Sequence, residues 1–439
     1  MEQIVINGRK RLSGKVCISG AKNAAVAIIP AAITANGITV IENLPRIEDV
    51  IILANAIRSI GVKCEFQDPH TLIVDSRNVT DFKINYDLTR RMRASYYLLG
   101  ALLGRFKCAI VPLPGGCNFG ARPIDQHIKG FEALGAKILL KHGLIHIAAD
   151  RLIGSHIYLD MASVGATINI MLAAVHAEGI TTIENAAKEP HVVDTANFLN
   201  MLGANVKGAG TDIIRISGVK ELHGAEYQII PDQIEAGTYM IASAITGGDV
   251  KVCNIIPKHM DSLSAKLVEM NCKLEEGGDY IRVRGAEVLQ AVNIKTMVYP
   301  GFPTDLQPQM TALLATAMGT SLVTEAVFDN RYQYITELRR LGCTVTVEGR
   351  VAVVEGSAVY SGAEVSATDL RAGAALVIAG LAAKGATAIR NVKYIDRGYE
   401  CIEHKLASLG ADIRRVSLNS GMKYVGGVVL QPPLTELAT

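Results

Sequence analysis

Ala35-Asn36-Gly37-Ile38-Thr39-Val40-Ile41-Glu42-Asn43 returns at 177–185 as AEGITTIEN, at 246–254 as TGGDVKVCN and at 383–391 as AKGATAIRN. Two looser copies, LLGRFKCAI around Gly104 and AMGTSLVTE around Gly319, fill the gaps. The six marker glycines are then 67, 75, 69, 71 and 66 residues apart, a period of about 70. Each ends an Ala-rich apolar stretch of helical spacing and opens a β-branched run, often closing on Asn.

A second marker keeps the same beat. It reads SIGVKCEF near Gly61, ALGAKILL near Gly135, MLGANVKG near Gly203, RLGCTVTV near Gly342 and SLGADIRR near Gly410. The sixth copy, EMNCKLEE, carries Asn271 in place of Gly. Gly and Asn are the two residues that close a helix in the left-handed conformation, so the exchange preserves the signal. Each repeat therefore reads helix, strand, helix, strand, with further short strands such as His156 to Asp160. Such units are small α/β layers rather than the thin rungs of a solenoid. Six of them suit two halves of three units, helices inside and sheets outside, or one longer stack; the period leaves both open.

The composition narrows the class. A chain of 439 residues exceeds one ordinary core, and 49% apolar residues with 5% aromatics and no Trp imply aliphatic interiors. Lys plus Arg (44) nearly balances Asp plus Glu (42), which argues against nucleic acid or a membrane surface as partner. The longest apolar run, Ala372 to Ala383, falls short of the roughly 18 residues that span a bilayer. MEQIVINGRKR has no apolar segment after its charges, so no signal peptide is expected. The eight cysteines form no CxxC pair and no metal-ligand spacing with His. Together these predict a reduced, cytoplasmic, metal-independent protein without membrane insertion.

The polar residues gather at the start of each repeat's first helix. These starts are Ser19-Gly20-Ala21-Lys22-Asn23, Arg90-Arg91-Met92-Arg93, Ser163-Val164-Gly165, Asp232-Gln233-Ile234-Glu235, Pro303-Thr304-Asp305 and Asp369-Leu370-Arg371. Helix capping explains Asp232, Thr304 and Asp369. It does not explain Lys22, Arg93 and Arg371, because a cation at the positive end of a helix dipole costs a few tenths to about 1 kcal/mol. Three such cations point to a phosphate or carboxylate held between them and the helix amides.

One segment departs from its repeat. Pro112-Leu113-Pro114-Gly115-Gly116-Cys117-Asn118-Phe119-Gly120-Ala121-Arg122-Pro123 holds three Pro and three Gly, which excludes helix and central strand. It reads as an exposed hinged loop, with a Cys near an Arg placed to act as acid or nucleophile. The other seven cysteines lie in apolar or strand-like surroundings and read as buried. Arg331 and Arg397 follow Asn330 and Asp396, and by themselves read as surface ion pairs. His127 reads as structural, near the start of a helix.

Ten motifs in order, SGAKNAA, MRAS, LPGGCNFGARPIDQHI, SVGAT, ENAAKEP, VDTANFL, FPTDLQPQ, FDNRY, ATDLRAGA and DRGYE, give the chain a family resemblance over residues 1 to about 416. It resembles the UDP-N-acetylglucosamine 1-carboxyvinyltransferases, the enolpyruvyl transferases of peptidoglycan synthesis. The resemblance implies two inside-out α/β barrels of three repeats each, with the active site in the cleft between them. The domains would be 22–230 and 1–21 with 231–417, the chain crossing near Gly20–Lys22 and Pro231–Asp232, followed by a loosely held tail, 418–439.

The same resemblance assigns roles. Cys117 matches the proton donor that forms a covalent adduct with phosphoenolpyruvate, and Asp305 the base beside the sugar hydroxyl. Lys22, Arg122 and Arg397 match cations around phosphate and carboxylate, with Asn23, Arg331, Asp369 and Arg371 lining the same cleft. Arg93, the run Arg122, Pro123, Ile124, Asp125 and Gln126, then Ser163, Val164, Gly165 and Val327 match nucleotide-sugar positions, together with Asn23 and Asp305. The implied partners are phosphoenolpyruvate and UDP-N-acetylglucosamine, and no metal or organic cofactor is implied. Tyr97 stands where some members place Trp, and Met161 where some have Lys, which bears on uridine and diphosphate contacts. The shikimate-pathway transferase shares the fold, but SVGAT and LPGGCNFGARPIDQ belong to the nucleotide-sugar branch. A catalytically idle paralogue has no physical need to keep Lys22, Cys117, Asp305 and Arg397 together.

An activated Cys117 predicts covalent trapping. An epoxide of the fosfomycin type should add one equivalent to Cys117, read by intact mass and peptide mapping; an unchanged mass with full activity would contradict the loop reading.

Overall fold

The computed structural model describes residues 2–86, 92–113 and 124–417, with Arg93 and the strands Lys423–Val425 and Val428–Leu430 described by backbone alone. The chain forms two compact units. One comprises Met1–Ile18, Gln233–Met297 and Gly301–Thr439, and the other Ser19–Asp232 with Val298–Pro300. Each unit has its own core of aliphatic side chains.

The sixfold period appears as six sheets of one topology. In the unit built on Ser19–Asp232, Ile38–Glu42 pairs in parallel with Glu226–Gln228 and antiparallel with Thr71–Asp75, which pairs with Lys63–Asp68. Ile180–Glu184 stands in the same relation to His156–Tyr158, Ile213–Ser217 and Asn205–Lys207. Cys108–Pro112 pairs with Leu144–Ala148, which pairs with Lys137–Lys141; a parallel bridge from Lys83 to Ile110 takes the fourth place. In the other unit the parallel partners are Ser13–Cys17 with Asp249–Cys253, Ile294–Lys295 with Thr320–Thr324, and Glu364–Ser366 with Ala386–Arg390. The last of these sheets is completed by the N-terminal strand Glu2–Asn7 and by Asp412–Ser417. Burial alternates along these strands, inward residues buried and outward ones exposed, as in Ile180–Glu184.

The first helix of each repeat is buried on nearly all sides. In Val164–Ala174 every residue from Ala166 to Ala174 is buried, the pattern of a helix enclosed by its neighbours rather than lying on a surface. Tyr97–Phe106 packs on both Lys22–Ala31 and Val164–Ala174, and Gln307–Leu314 packs on both Gln233–Ile245 and Leu370–Ala382. Such helices have no polar flank, so charged groups are confined to their ends. The second helices (Glu48–Arg58, Asp125–Ala133, Pro190–Met201, Asp261–Glu269, Ile335–Arg340 and Ile402–Ser408) each lead to the second marker. There Asn271 has φ 73°, and the five marker glycines lie between 93° and 101°. The left-handed closure is therefore common to all six.

Three expectations are corrected. Gly104 lies inside Tyr97–Phe106, and the residue before the next strand is Lys107, at φ 63°. The second copy of the marker is thus displaced by one helical turn, because Gly104 serves helix packing instead. A Cβ on Gly100 would lie 2.3 Å from the Asn169 carbonyl oxygen, and one on Gly104 2.6 Å from that of Leu172. Of the described cysteines, Cys17 and Cys401 are exposed and Cys108 is half-buried, rather than all buried as read from their surroundings. Thr304 is not a cap; its hydroxyl engages Glu325. In the tail, Lys423–Val425 and Val428–Leu430 pair as an antiparallel hairpin.

Gly100→Ala should force the two helices apart and lower the unfolding free energy by about 2 kcal/mol, within the cost range of an overpacked core. Urea denaturation of both proteins checks this, and an unchanged midpoint would contradict the packing.

Candidate functional site

Asp305 lies in the turn Thr304–Leu306 that leads into Gln307–Leu314. Its Oδ1 accepts a 2.8 Å hydrogen bond from Arg331 Nη2, and its Oδ2 accepts from Arg371 Nε at 3.2 Å and Nη2 at 3.0 Å. Both arginines are 3% exposed. Arg331 is therefore no surface residue, because its guanidinium is drawn inward to a carboxylate. Burial alone would raise the Asp305 pKa, but Arg371 and Arg331 outweigh it and hold the carboxyl well below the usual range. The side chain retains 28% exposure, so an ionised oxygen remains open to a ligand.

Neighbouring groups fix both guanidiniums. Arg371 is the second residue of Leu370–Ala382, whose cap Asp369 accepts the amides of Arg371 at 2.8 Å and Ala372 at 3.0 Å. Its guanidinium lies 5.6 Å from the Tyr399 ring. The Tyr399 hydroxyl bonds Thr238 at 2.8 Å and accepts from Gln309 at 3.1 Å. Arg331 Nη1 donates to the Thr304 hydroxyl at 3.0 Å, which donates to Glu325 Oε2 at 2.9 Å. Glu325 Oε1 accepts the Thr296 hydroxyl and the amides of Val327 and Phe328, at 2.8, 2.9 and 3.1 Å. Val327 itself is 37% exposed. Arg397 is half-buried in the same unit. The neighbouring Asp396 is engaged by Arg415, which also binds Glu403 and Glu2.

The unit built on Ser19–Asp232 carries its own polar groups at helix starts. Lys22 opens Lys22–Ala31, its amide donating to the Asp232 carboxylate at 2.9 Å. Its Nζ lies 3.0 Å from Asp49 Oδ2, a carboxylate that is almost wholly buried. Asn23 follows it, half-buried. Protein carboxylates thus stand beside two of the cations that suggested a bound anion, Asp49 beside Lys22 and Asp305 beside Arg371. Ser163 caps Val164–Ala174 through the Ala166 amide at 3.3 Å. Ile124 precedes Asp125–Ala133, Asp125 is exposed, and Gln126 is buried and tied to Asp160 by two hydrogen bonds of 2.9 Å.

His127 is enclosed behind these residues. Its Nδ1 accepts from Asn169 Nδ2 at 2.9 Å, which leaves the ring proton on Nε2. The ring packs edge-on to Tyr96 at 4.8 Å, and burial pushes its pKa down to about 4, so it is neutral at physiological pH. A Cβ on Gly165 would lie 2.9 Å from the Tyr96 hydroxyl and 3.0 Å from His127 Nε2, so a larger residue would crowd these rings. Tyr97 is buried in the core, whereas Met161 is 62% exposed.

Cys117, Arg122, Pro123 and the Arg93 side chain lie outside the described residues. The sequence reading missed Asp49, Asn169 and Glu325 as partners of site residues. Only Glu325 left a signal, as the residue that replaces the closing Asn of its repeat. A cavity of about 340 Å³ lies elsewhere, at the opposite ends of the first helices, lined by Thr34, Arg105, Lys107 and His176 among others. Its Arg105 donates to the Ile33 carbonyl and His176 contacts the Thr34 carbonyl, the ordinary neutralisation of a helix C-terminus, and Arg105 also donates to the Ser76 carbonyl after the strand Thr71–Asp75.

Comparison with known proteins adds independent observations. The family model for EPSP synthase (3-phosphoshikimate 1-carboxyvinyltransferase) matches residues 6–406. UDP-N-acetylglucosamine 1-carboxyvinyltransferase 3 of Caldanaerobacter subterraneus subsp. tengcongensis is 58% identical over 416 residues, 95% of this chain and 100% of that protein. UDP-N-acetylglucosamine 1-carboxyvinyltransferase of Clostridium botulinum is 56% identical over 417 residues, again 95% of this chain and 100% of the relative. The crystal structure of the enolpyruvyl transferase NikO from Streptomyces tendae superposes with TM-score 0.87 at 29% identity, covering 94% of this chain and 99% of that one. EPSP synthase from Acinetobacter baumannii shares the fold, with TM-score 0.74 at 21% identity over 95% of this chain and 100% of its own.

Proposed function

The chain belongs to the EPSP synthase family and, within it, to the UDP-N-acetylglucosamine 1-carboxyvinyltransferases, and from that membership we propose how its residues work. It transfers the enolpyruvyl group of phosphoenolpyruvate to the 3-hydroxyl of UDP-N-acetylglucosamine and releases phosphate, the first committed step of peptidoglycan synthesis. The observation that carries this reading is identity of 58% across the whole length of a relative bearing that name. No helix among the described residues is long and apolar enough to cross a membrane. We place the reaction in the cytoplasm, where both substrates are available.

The reaction needs a proton on C3 of phosphoenolpyruvate as the sugar oxygen bonds C2. The tetrahedral intermediate then loses phosphate and one proton of its C3 methyl group, which restores the double bond in the product. We assign the proton donor to Cys117 and the handling of the sugar hydroxyl to Asp305. The two guanidiniums on Asp305 make it a weak base. A weak base suffices, because a hydroxyl becomes strongly acidic once its oxygen bonds an electron-poor carbon, so proton transfer follows bond formation. Lys22, Arg122, Arg331, Arg371 and Arg397 are assigned to the phosphate and carboxylate charges, with Asn23 and Asp369 beside them. Arg93, Arg122, Pro123, Ile124, Asp125, Gln126, Ser163, Val164, Gly165 and Val327 are assigned to the nucleotide sugar, which Asn23 and Asp305 also contact. Here the Ser163–Gly165 helix start offers amides to the diphosphate.

Phosphate release from phosphoenolpyruvate should require UDP-N-acetylglucosamine and be absent with shikimate 3-phosphate. Release with shikimate 3-phosphate alone would overturn the acceptor. No release despite binding of the sugar nucleotide would leave a binding paralogue.

A further inference from the structure

One of the six sheets breaks the repeat with a charged residue. In four repeats the strand after the first helix closes on Asn43, Asn185, Asn254 or Asn391, all left-handed with φ between 55° and 58°. Each donates from Nδ2 to the carbonyl opposite it on the parallel neighbour: Ile229 at 2.9 Å, Leu159 at 2.9 Å, Ile18 at 2.7 Å and Ala367 at 3.5 Å. This bond ties two strands together and serves the fold. In the fifth repeat Lys295 pairs with Thr324, which sets Thr296 opposite Glu325 in the same register. Glu325 is outside the left-handed region and points the polarity the other way. It accepts four hydrogen bonds, from the Thr296 and Thr304 hydroxyls and the Val327 and Phe328 amides.

Glu325 is fully buried. Placing a carboxylate in the core is costly, and its hydrogen bonds offset that cost without improving on the neutral Asn that the fold uses elsewhere. What the carboxylate adds is a set of fixed neighbours. Thr304, directly before Asp305, is locked as a donor to Glu325, so its oxygen is left to accept from Arg331. Val327 is held in its turn by its amide. We infer that Glu325 is a positioning residue for sugar-nucleotide binding, setting both the Thr304–Arg331 support of Asp305 and the Val327 turn. This rests on the assignment of Asp305 and Val327 to the sugar nucleotide made above.

Glu325→Asn tests the inference, because it restores the residue of the other repeats and puts a donor where the acceptor stood. Its Tm should stay within about 3 °C of the parent. The KM for UDP-N-acetylglucosamine should rise about tenfold or more, and that for phosphoenolpyruvate, whose charges Arg331 also serves, by a smaller factor. Thr304→Val, which removes both the donation to Glu325 and the acceptor for Arg331, should raise the same KM and so carries the test if Glu325→Asn fails to fold. An unchanged sugar-nucleotide KM in Thr304→Val, or equal rises in both KM values, would overturn the inference. The parent protein is measured alongside: absence of sugar-dependent phosphate release there would defeat the functional reading itself, whereas normal parent kinetics with unaltered variants would defeat only the role of Glu325.

Discussion

A carboxylate gripped by two buried guanidiniums anchors the polar network at the starts of Gln307–Leu314 and Leu370–Ala382. Arg331 and Arg371 would repel each other and remain costly to bury without Asp305 between them. Asp305 in turn is kept ionised by them in surroundings that would otherwise protonate it. Each further contact, from Thr304 to Arg331 and from Asp369 to the Arg371 amide, restricts one arm of this arrangement. The result is a fixed negative oxygen with part of its surface open.

The fold explains why such groups collect where they do. The first helices are apolar on almost every side, so the only places for charge are their ends. Successive repeats bring these ends together within each unit, and residues far apart in sequence, such as Asp305 and Arg371, become neighbours. Close packing of the helices is a condition for this, and Gly100 and Gly104 provide it where side chains would not fit.

The architecture was legible because the repeat is written twice per unit, in a helix-closing Gly or Asn and in a β-branched run. Asn271 was read correctly from its conformational preference alone. Gly104 misled because a glycine can mark a close helix approach as well as a helix end. The site was legible in part. Helix-start cations stood out against the dipole argument, but the argument supposed an external anion, and the residues beside Lys22 and Arg371 are Asp49 and Asp305. Sequence spacing cannot reveal a partner on a different element: Asp49 lies on the second helix of Lys22's own repeat, and Asp305 one repeat before Arg371. Arg331 looked like a surface charge for the same reason. Glu325 was visible only as a missing Asn, and its meaning required the register of Thr296 and the position of Thr304.

The central claim is that Asp305 stays ionised and acts as a weak base between its two arginines. A pH titration by carboxyl carbon NMR, with the Asp305 resonance identified by its loss in Asp305→Asn, tests it directly. The account predicts that this resonance still reports the ionised carboxyl as the pH falls through about 3.9, the ordinary aspartate value. A midpoint at about 3.9 or above would contradict it and restore Asp305 to at least the basicity of an unpaired carboxylate.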